Sequence, residues 1–392
     1  MTVSRRDHRI DFLRGAALAS IFINHVPGNI WEQVTHKNFG FSDAAEIFVL
    51  LAGYASAFAY FAPFEKGARW EAALKAVKRA GVLYMSHLVT TLVVIALFCG
   101  AAIWFAEPRY LDDTIVYLNV KPYFADPARG MVGIVTLGHQ LGYFNILSMY
   151  MVILLMTPAM LWLAARSLRL LLAVSIGLWL VAGIFTLDMP NFPLAGGWFF
   201  NPFAWQLLFV IGLVLGIKAR RGDVVSLPAP LVIAAAFYCL GAALWVRLDL
   251  WAWQPAIPKD WWWAHHFYMF DKTYVSVPRL MHVLALAMIV MMPPWGEWLR
   301  QIPSRNFITA MGRHSLPVFC AGSLLAMAGT ILRHEAGGSF AIDTLIVGIG
   351  LALLALLARA LDGDHRRAAA EQLSVTRPVP GMLLQLPPRL QR

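Results

Sequence analysis

The chain has 392 residues, 59% hydrophobic and 14% charged, with a mean hydropathy of +0.62. That balance excludes an ordinary soluble domain, which carries far more charge. The net charge of +10 does not point to nucleic acid, because the basic residues lie between apolar runs.

Those runs approach twenty residues, the length needed to cross a bilayer as a helix. Spans are predicted at 10–26, 42–62, 80–105, 143–164, 169–187, 202–217, 229–249, 277–294, 314–332 and 341–360. The expected fold class is an all-α membrane protein with about ten transmembrane helices embedded in lipid. Lys and Arg crowd the loops of one side, including Arg5, Arg6, Lys66, Arg166, Arg220 and Arg300. The positive-inside rule makes that side cytoplasmic, and an even number of spans places both termini there. The first run keeps its basic flank and reads as a retained helix, not a cleaved signal. Cys99, Cys239 and Cys320 all fall inside apolar spans and read as small buried hydrophobes.

The first span reads IDFLRGAALASIFINHV, with Asp11, Arg14, Asn24 and His25 in a short apolar stretch. Ionisable groups at membrane depth are costly and usually functional. Asp11 and Arg14 are three apart and can pair on one helix face. Arg14 and His25 are eleven apart, which leaves a rotation of only about 20° over about 16 Å of axis. A polar stripe thus links the two membrane faces. The second span starts SDAAEIF, with Asp43 and Glu46 at about the depth of His25. A carboxylate bonded to one imidazole nitrogen raises the basicity of the other, so Asp43 or Glu46 is expected to orient His25. The plainer alternative for Glu46 is a solvated helix-start carboxylate. Gly53 and its small neighbours are expected to pack against the first span.

The long loop 250–276 carries Trp251, Trp253, Trp261, Trp262 and Trp263 with His265 and His266. It reads either as an aromatic belt at the interface or as a platform for sugar rings. Arg247 with Asp249, and Arg279 with Asp271, are candidate ion pairs. Either arginine is also a candidate for an acidic substrate group. No metal-ligand set, HExxH, GxSxG or phosphate-binding loop is present. Residues 1–361 read as one integral membrane domain. Residues 362–392, rich in Pro and Arg, read as a disordered cytoplasmic tail.

Arg14 and His25 resemble the Arg-x10-His element of the transmembrane acyltransferase-three-like superfamily, in its D-x-L-R-G setting at Asp11, Leu13, Arg14 and Gly15. Further blocks are SDAAEIFVLLAGY at 42–54, YFNILSMYMVILLMTP at 143–158, GWFFNPFAWQLLFVIGLVLG at 197–216 and RHSLPVFCAGSLL at 313–325. Together they resemble the OpgC family, whose members succinylate osmoregulated periplasmic glucans. The resemblance implies a multi-pass protein of the bacterial inner membrane. It implies an acyl-CoA donor, succinyl-CoA, used from the cytoplasm, and a glucan hydroxyl acylated in the periplasm. It implies His25 as the essential catalytic group and Arg14 as its partner. On that reading Lys75, Lys78, Arg79, Arg300, Arg305 and Arg313 are candidates to hold the CoA phosphates. Asn24 is a candidate for the oxyanion. Trp261, Trp262, Trp263, His265, His266, Arg247 and Arg279 are candidates to meet the substrate. Two alternatives remain open at this point: an O-acetyltransferase of another glycan, and a sugar or ion transporter without chemistry. Paired broken helices, the mark of many transporters, are not evident.

Overall fold

The computed structural model describes residues 7–113, 115, 118–223, 227–253, 261, 267 and 269–375, with side chains as far as Gly363. Among the described residues there is no strand, only an isolated bridge between Pro190 and Gly197. The chain is an all-α, multi-pass membrane protein. Its long helices are α1 His8–Asn24, α2 Ala44–Ser56, α3 Arg69–Trp104, α4 Asn145–Arg166 and α5 Leu168–Phe185. They continue as α6 Pro202–Arg221, α7 Ala229–Arg247, α8 Val277–Met291, α9 Ser315–Ala336 and α10 Phe340–Val375.

Among the described residues, eight helical stretches are long and apolar enough to cross a membrane, starting with Ala44–Glu65. A ninth forms if α8 and the helix Trp295–Gln301, bent by 65°, count as one span. By length and composition, eight or nine of the expected spans are thus accounted for among the described residues. The first, α1, has only 17 residues. The eighth is interrupted at Pro293 and Pro294, where two successive residues lack a backbone donor.

The short α1 is enclosed by protein. It packs on α2, on α9 and on the helix Phe307–Arg313. Contact with the last is backbone to backbone: a Cβ at Gly15 would overlap the Ile308 carbonyl, and one at Gly312 would overlap that of Asp11. Enclosure is what permits Asp11 and Arg14 on such a helix, because lipid offers them no partner. Gly53 makes a similar contact, though with α6 at the Phe209 carbonyl and not with the first span as expected. By contrast α7 lies at the rim, with most of its side chains outward.

The expected boundary at 361 falls within a helix. Helix α10 runs on to Val375, and Arg313 and His314 both hold Asp362, His314 Nε2 at 2.8 Å. The paired carboxylate ties the start of the supposed tail to the membrane domain. Residues 376–392 lie outside the described residues.

Candidate functional site

Arg14 and His25 sit on one helix and line two different cavities. The Arg14 cavity, about 170 Å³, also involves Phe48, Tyr60, Arg79, Tyr150 and Ser315. The Arg14 guanidinium donates to Ser315 Oγ at 2.6 Å and lies 5.6 Å from the Phe48 ring centre. Beyond α2 the chain makes a π turn, Ala57–Phe61, and Ala59 and Tyr60 from that turn join the wall. Such wide turns recur at functional sites.

The His25 cavity is larger, about 490 Å³. Asn24, Lys37, Asp43, Gln140, Asn145 and Lys272 bring polar groups to it. Ile146 and Phe319 line both cavities, so two side chains form a common wall between the Arg14 and His25 spaces.

His25 caps α1: its backbone N–H reaches the carbonyls of Ile21 and Phe22 at 3.0 and 3.1 Å. Its ring stacks on Tyr143, 4.1 Å between centres and 17° between planes. Its Nδ1 is buried and makes no hydrogen bond within the described chain. Asn24 Oδ1 accepts from the Thr35 hydroxyl at 2.7 Å.

The carboxylates expected to orient His25 are engaged elsewhere. Asp43 and Glu46 form a capping box at the start of α2: Ala45 N–H donates to Asp43 at 2.8 Å, and Asp43 N–H donates to Glu46 Oε2 at 3.0 Å. Their spacing of three is the signature of that cap. Both also take cations from segments distant in sequence. Arg279 donates to Glu46 Oε1 through Nε at 2.7 Å, and its second nitrogen lies 3.6 Å from Asp43. Lys272 donates to Asp43. Glu46 is wholly buried, so the alternative of a solvated carboxylate does not hold either. The imidazole instead lies stacked on the Tyr143 ring.

Lys272 and Tyr143 are the residues that sequence reasoning missed. Tyr143 stands in a turn just before α4. Lys272 is held by its own backbone: Trp205 Nε1 donates to its carbonyl at 3.0 Å, and Trp179 Nε1 to that of Tyr274 at 2.9 Å. Its ammonium lies 5.2 Å from the centre of the Phe200 ring. The advance signal was weak: Lys272 is one of two lysines in a loop rich in aromatic residues.

The other expected residues are scattered. Arg279 belongs to the ion network just described, with Glu46 and Asp43 as its ion-pair partners. Arg247 reaches the Gln33 carbonyl at 3.4 Å and lies over Phe39. Among the candidate phosphate cations, Arg79 lines the Arg14 cavity, and exposed Lys75 donates to the Ala59 carbonyl at 3.3 Å. Lys78, Arg300 and Arg305 are exposed, whereas Arg313 is committed to Asp362. Trp261 is half-exposed; Trp262, Trp263, His265 and His266 lie outside the described residues. Among the described residues no group of three or more His, Cys, Asp or Glu is placed to hold a metal ion.

No curated protein and no solved structure matches the chain. The family model described as OpgC protein matches residues 6–366. A match over nearly the whole chain points to an OpgC-type acyltransferase. By that match, this multi-pass membrane protein belongs to the OpgC family.

Proposed function

We propose that the protein is a glucan O-succinyltransferase of the bacterial inner membrane, using succinyl-CoA from the cytoplasm to acylate glucose hydroxyls of osmoregulated periplasmic glucans. The observation that carries this reading is the pair of cavities on one short helix, Arg14 in one and His25 in the other, separated by Ile146 and Phe319. The loop charges support the orientation, with the Arg14 end inward.

The chemistry follows from the residues. The CoA phosphates would lie near Lys75, Lys78, Arg79, Arg300 and Arg305, and the thioester arm would enter beside Arg14 and Arg79. Arg313 is dropped from that set because Asp362 holds it. His25 takes the proton of a glucose hydroxyl, and the oxygen attacks the thioester carbonyl. The carbon–sulfur bond then breaks, and the CoA thiolate leaves and takes up a proton. With Oδ1 engaged by Thr35, Asn24 keeps its amide N–H groups for the oxyanion. The buried, uncommitted Nδ1 is also compatible with His25 carrying the acyl group between donor and sugar.

A succinyl group brings a second carboxylate, which needs a cation. Arg279 and Arg247 do not line the His25 cavity, whereas Lys272 and Lys37 do, and each ammonium keeps donors beyond the one given to Asp43 or Glu32. Lys272→Met is therefore expected to lower the rate with succinyl-CoA relative to acetyl-CoA by about tenfold, the worth of one charged hydrogen bond. Arg279 remains beside Asp43, so the fold should survive. Paired rate measurements with the two donors check this, and an unchanged ratio removes Lys272 from the role.

The direct test of the activity is mass spectrometry of periplasmic glucans from cells with and without the protein. Loss of one succinyl mass per modified sugar is expected in its absence. An acetyl increment would change the donor, and identical glucans would sink the reading.

A further inference from the structure

A second polar cavity, about 340 Å³, lies beside the one that holds His25. The two share Asn119, Gln140, Asn145 and Phe199. Its far wall is the loop between α5 and α6. There Asn191 N–H bonds the Gly196 carbonyl at 2.9 Å, Asn191 Nδ2 bonds that of Gly197 at 2.6 Å, and Trp198 N–H bonds that of Met189 at 3.0 Å. These bonds close the loop and set Asp188, Asn191 and Trp198 along the cavity.

Three buried polar atoms of its lining residues make no hydrogen bond within the described chain: His139 Nε2, Asn145 Oδ1 and Trp198 Nε1. His139 and Trp198 are 1% and 2% exposed. Folded proteins rarely leave such atoms unmatched, so three together call for an occupant. The lining says what kind. Among the described residues that line it there is no lysine or arginine, which disfavours a phosphate or a carboxylate. Instead there are side-chain amides, an imidazole, an indole N–H and one carboxyl. These both donate and accept, which is what adjacent hydroxyl groups require. The rings of Trp198, Phe199 and Tyr274 add apolar faces suited to sugar C–H groups. The volume falls within the range of small-molecule sites, about 300–1,000 Å³.

We propose that this cavity is a saccharide subsite, which seats a neutral sugar of the acceptor glucan and presents the next unit to His25. The inference rests on the acyl-transfer reading for its role, though not for its chemistry. Burial pushes the Asp188 carboxyl up to about 7, with Asp271 nearby adding to the effect. Near neutral pH it therefore donates as well as accepts, which suits a hydroxyl partner.

The test uses the full-length protein in detergent, with purified periplasmic glucan as the probe in isothermal titration. Trp198→Phe removes the indole N–H and keeps a ring. His139→Leu removes another orphaned atom, Nε2, from a residue that does not line the His25 cavity. Each variant is expected to weaken glucan binding about threefold to tenfold, the loss of one hydrogen bond. The melting temperature of the ligand-free protein should stay level or rise, since an unmatched buried group has gone. Binding of succinyl-CoA should not change. Equal glucan affinity in wild type and both variants would mean that the cavity holds water only, and would overturn the inference while leaving acyl transfer intact. No glucan binding to wild-type protein would overturn it as well. Glucan binding that depends on these residues, without acylation from any acyl-CoA, would keep the subsite and remove the proposed activity.

Discussion

His25→Gln protein is expected to insert, to extract in detergent and to bind acyl-CoA, yet to lose at least about a hundredfold in turnover, the low end for a general base. Glutamine keeps the polarity and approximate size of the side chain but cannot take a proton near neutral pH. The local fold should hold, because α1 is capped by the backbone N–H of residue 25 and not by its ring. Donor binding should hold because Arg14 and Arg79 line the other cavity. The measurement is glucan acylation by purified protein, with donor affinity determined beside it. Near-wild-type turnover in well-folded His25→Gln would remove both the base and the acyl-carrier versions of the mechanism. Loss of donor binding as well would mean that the two cavities are not independent.

Arg279→Met should cause the largest loss of stability. Glu46 is wholly buried and has Arg279 as its salt-bridge partner. Removing one member of a buried pair strands the other charge, at a cost of about 3–5 kcal/mol. Asp43 retains Lys272, so the damage should centre on Glu46. The double variant Arg279→Met with Glu46→Gln is expected to recover much of the loss, since the stranded charge is gone and Gln can still accept from the Asp43 N–H. Thermal unfolding in detergent reads both. A single variant as stable as wild type would mean that the pair contributes nothing net. A double variant no better than the single would locate the damage in packing.

The polar stripe and the ion network differ in how far they could be read in advance. The stripe needs only helix geometry. Eleven residues bring Arg14 and His25 back to one face, and their types are expensive enough at membrane depth to stand out. The network has a local half and a distant half. Asp43 and Glu46 at a spacing of three are visible as a helix cap in the sequence, and that is one of the roles they fill. Their cations come from Lys272 and Arg279, more than two hundred residues along the chain. Periodicity says which face a side chain lies on and nothing about which helix faces it. Hence the spacing alone offers Asp43 or Glu46 to His25 and is silent on Lys272 and Arg279 as their partners. Gly53 is a similar case: its small size marks a close helix contact, but only the packing of α2 on α6 says with which helix.

By itself the sequence determined that this is an all-α membrane protein and that a polar stripe runs along its first helix. Its ordered blocks also sufficed to place it beside the OpgC family. Apolar run length and helical spacing are local properties, so one chain read in order reveals them. Tertiary structure decided the rest. It enclosed a helix of only 17 residues, put Arg14 and His25 into separate cavities behind Ile146 and Phe319, and stacked Tyr143 on the imidazole. Each of those outcomes depends on which distant segments meet, and that choice belongs to the packing of all the helices together.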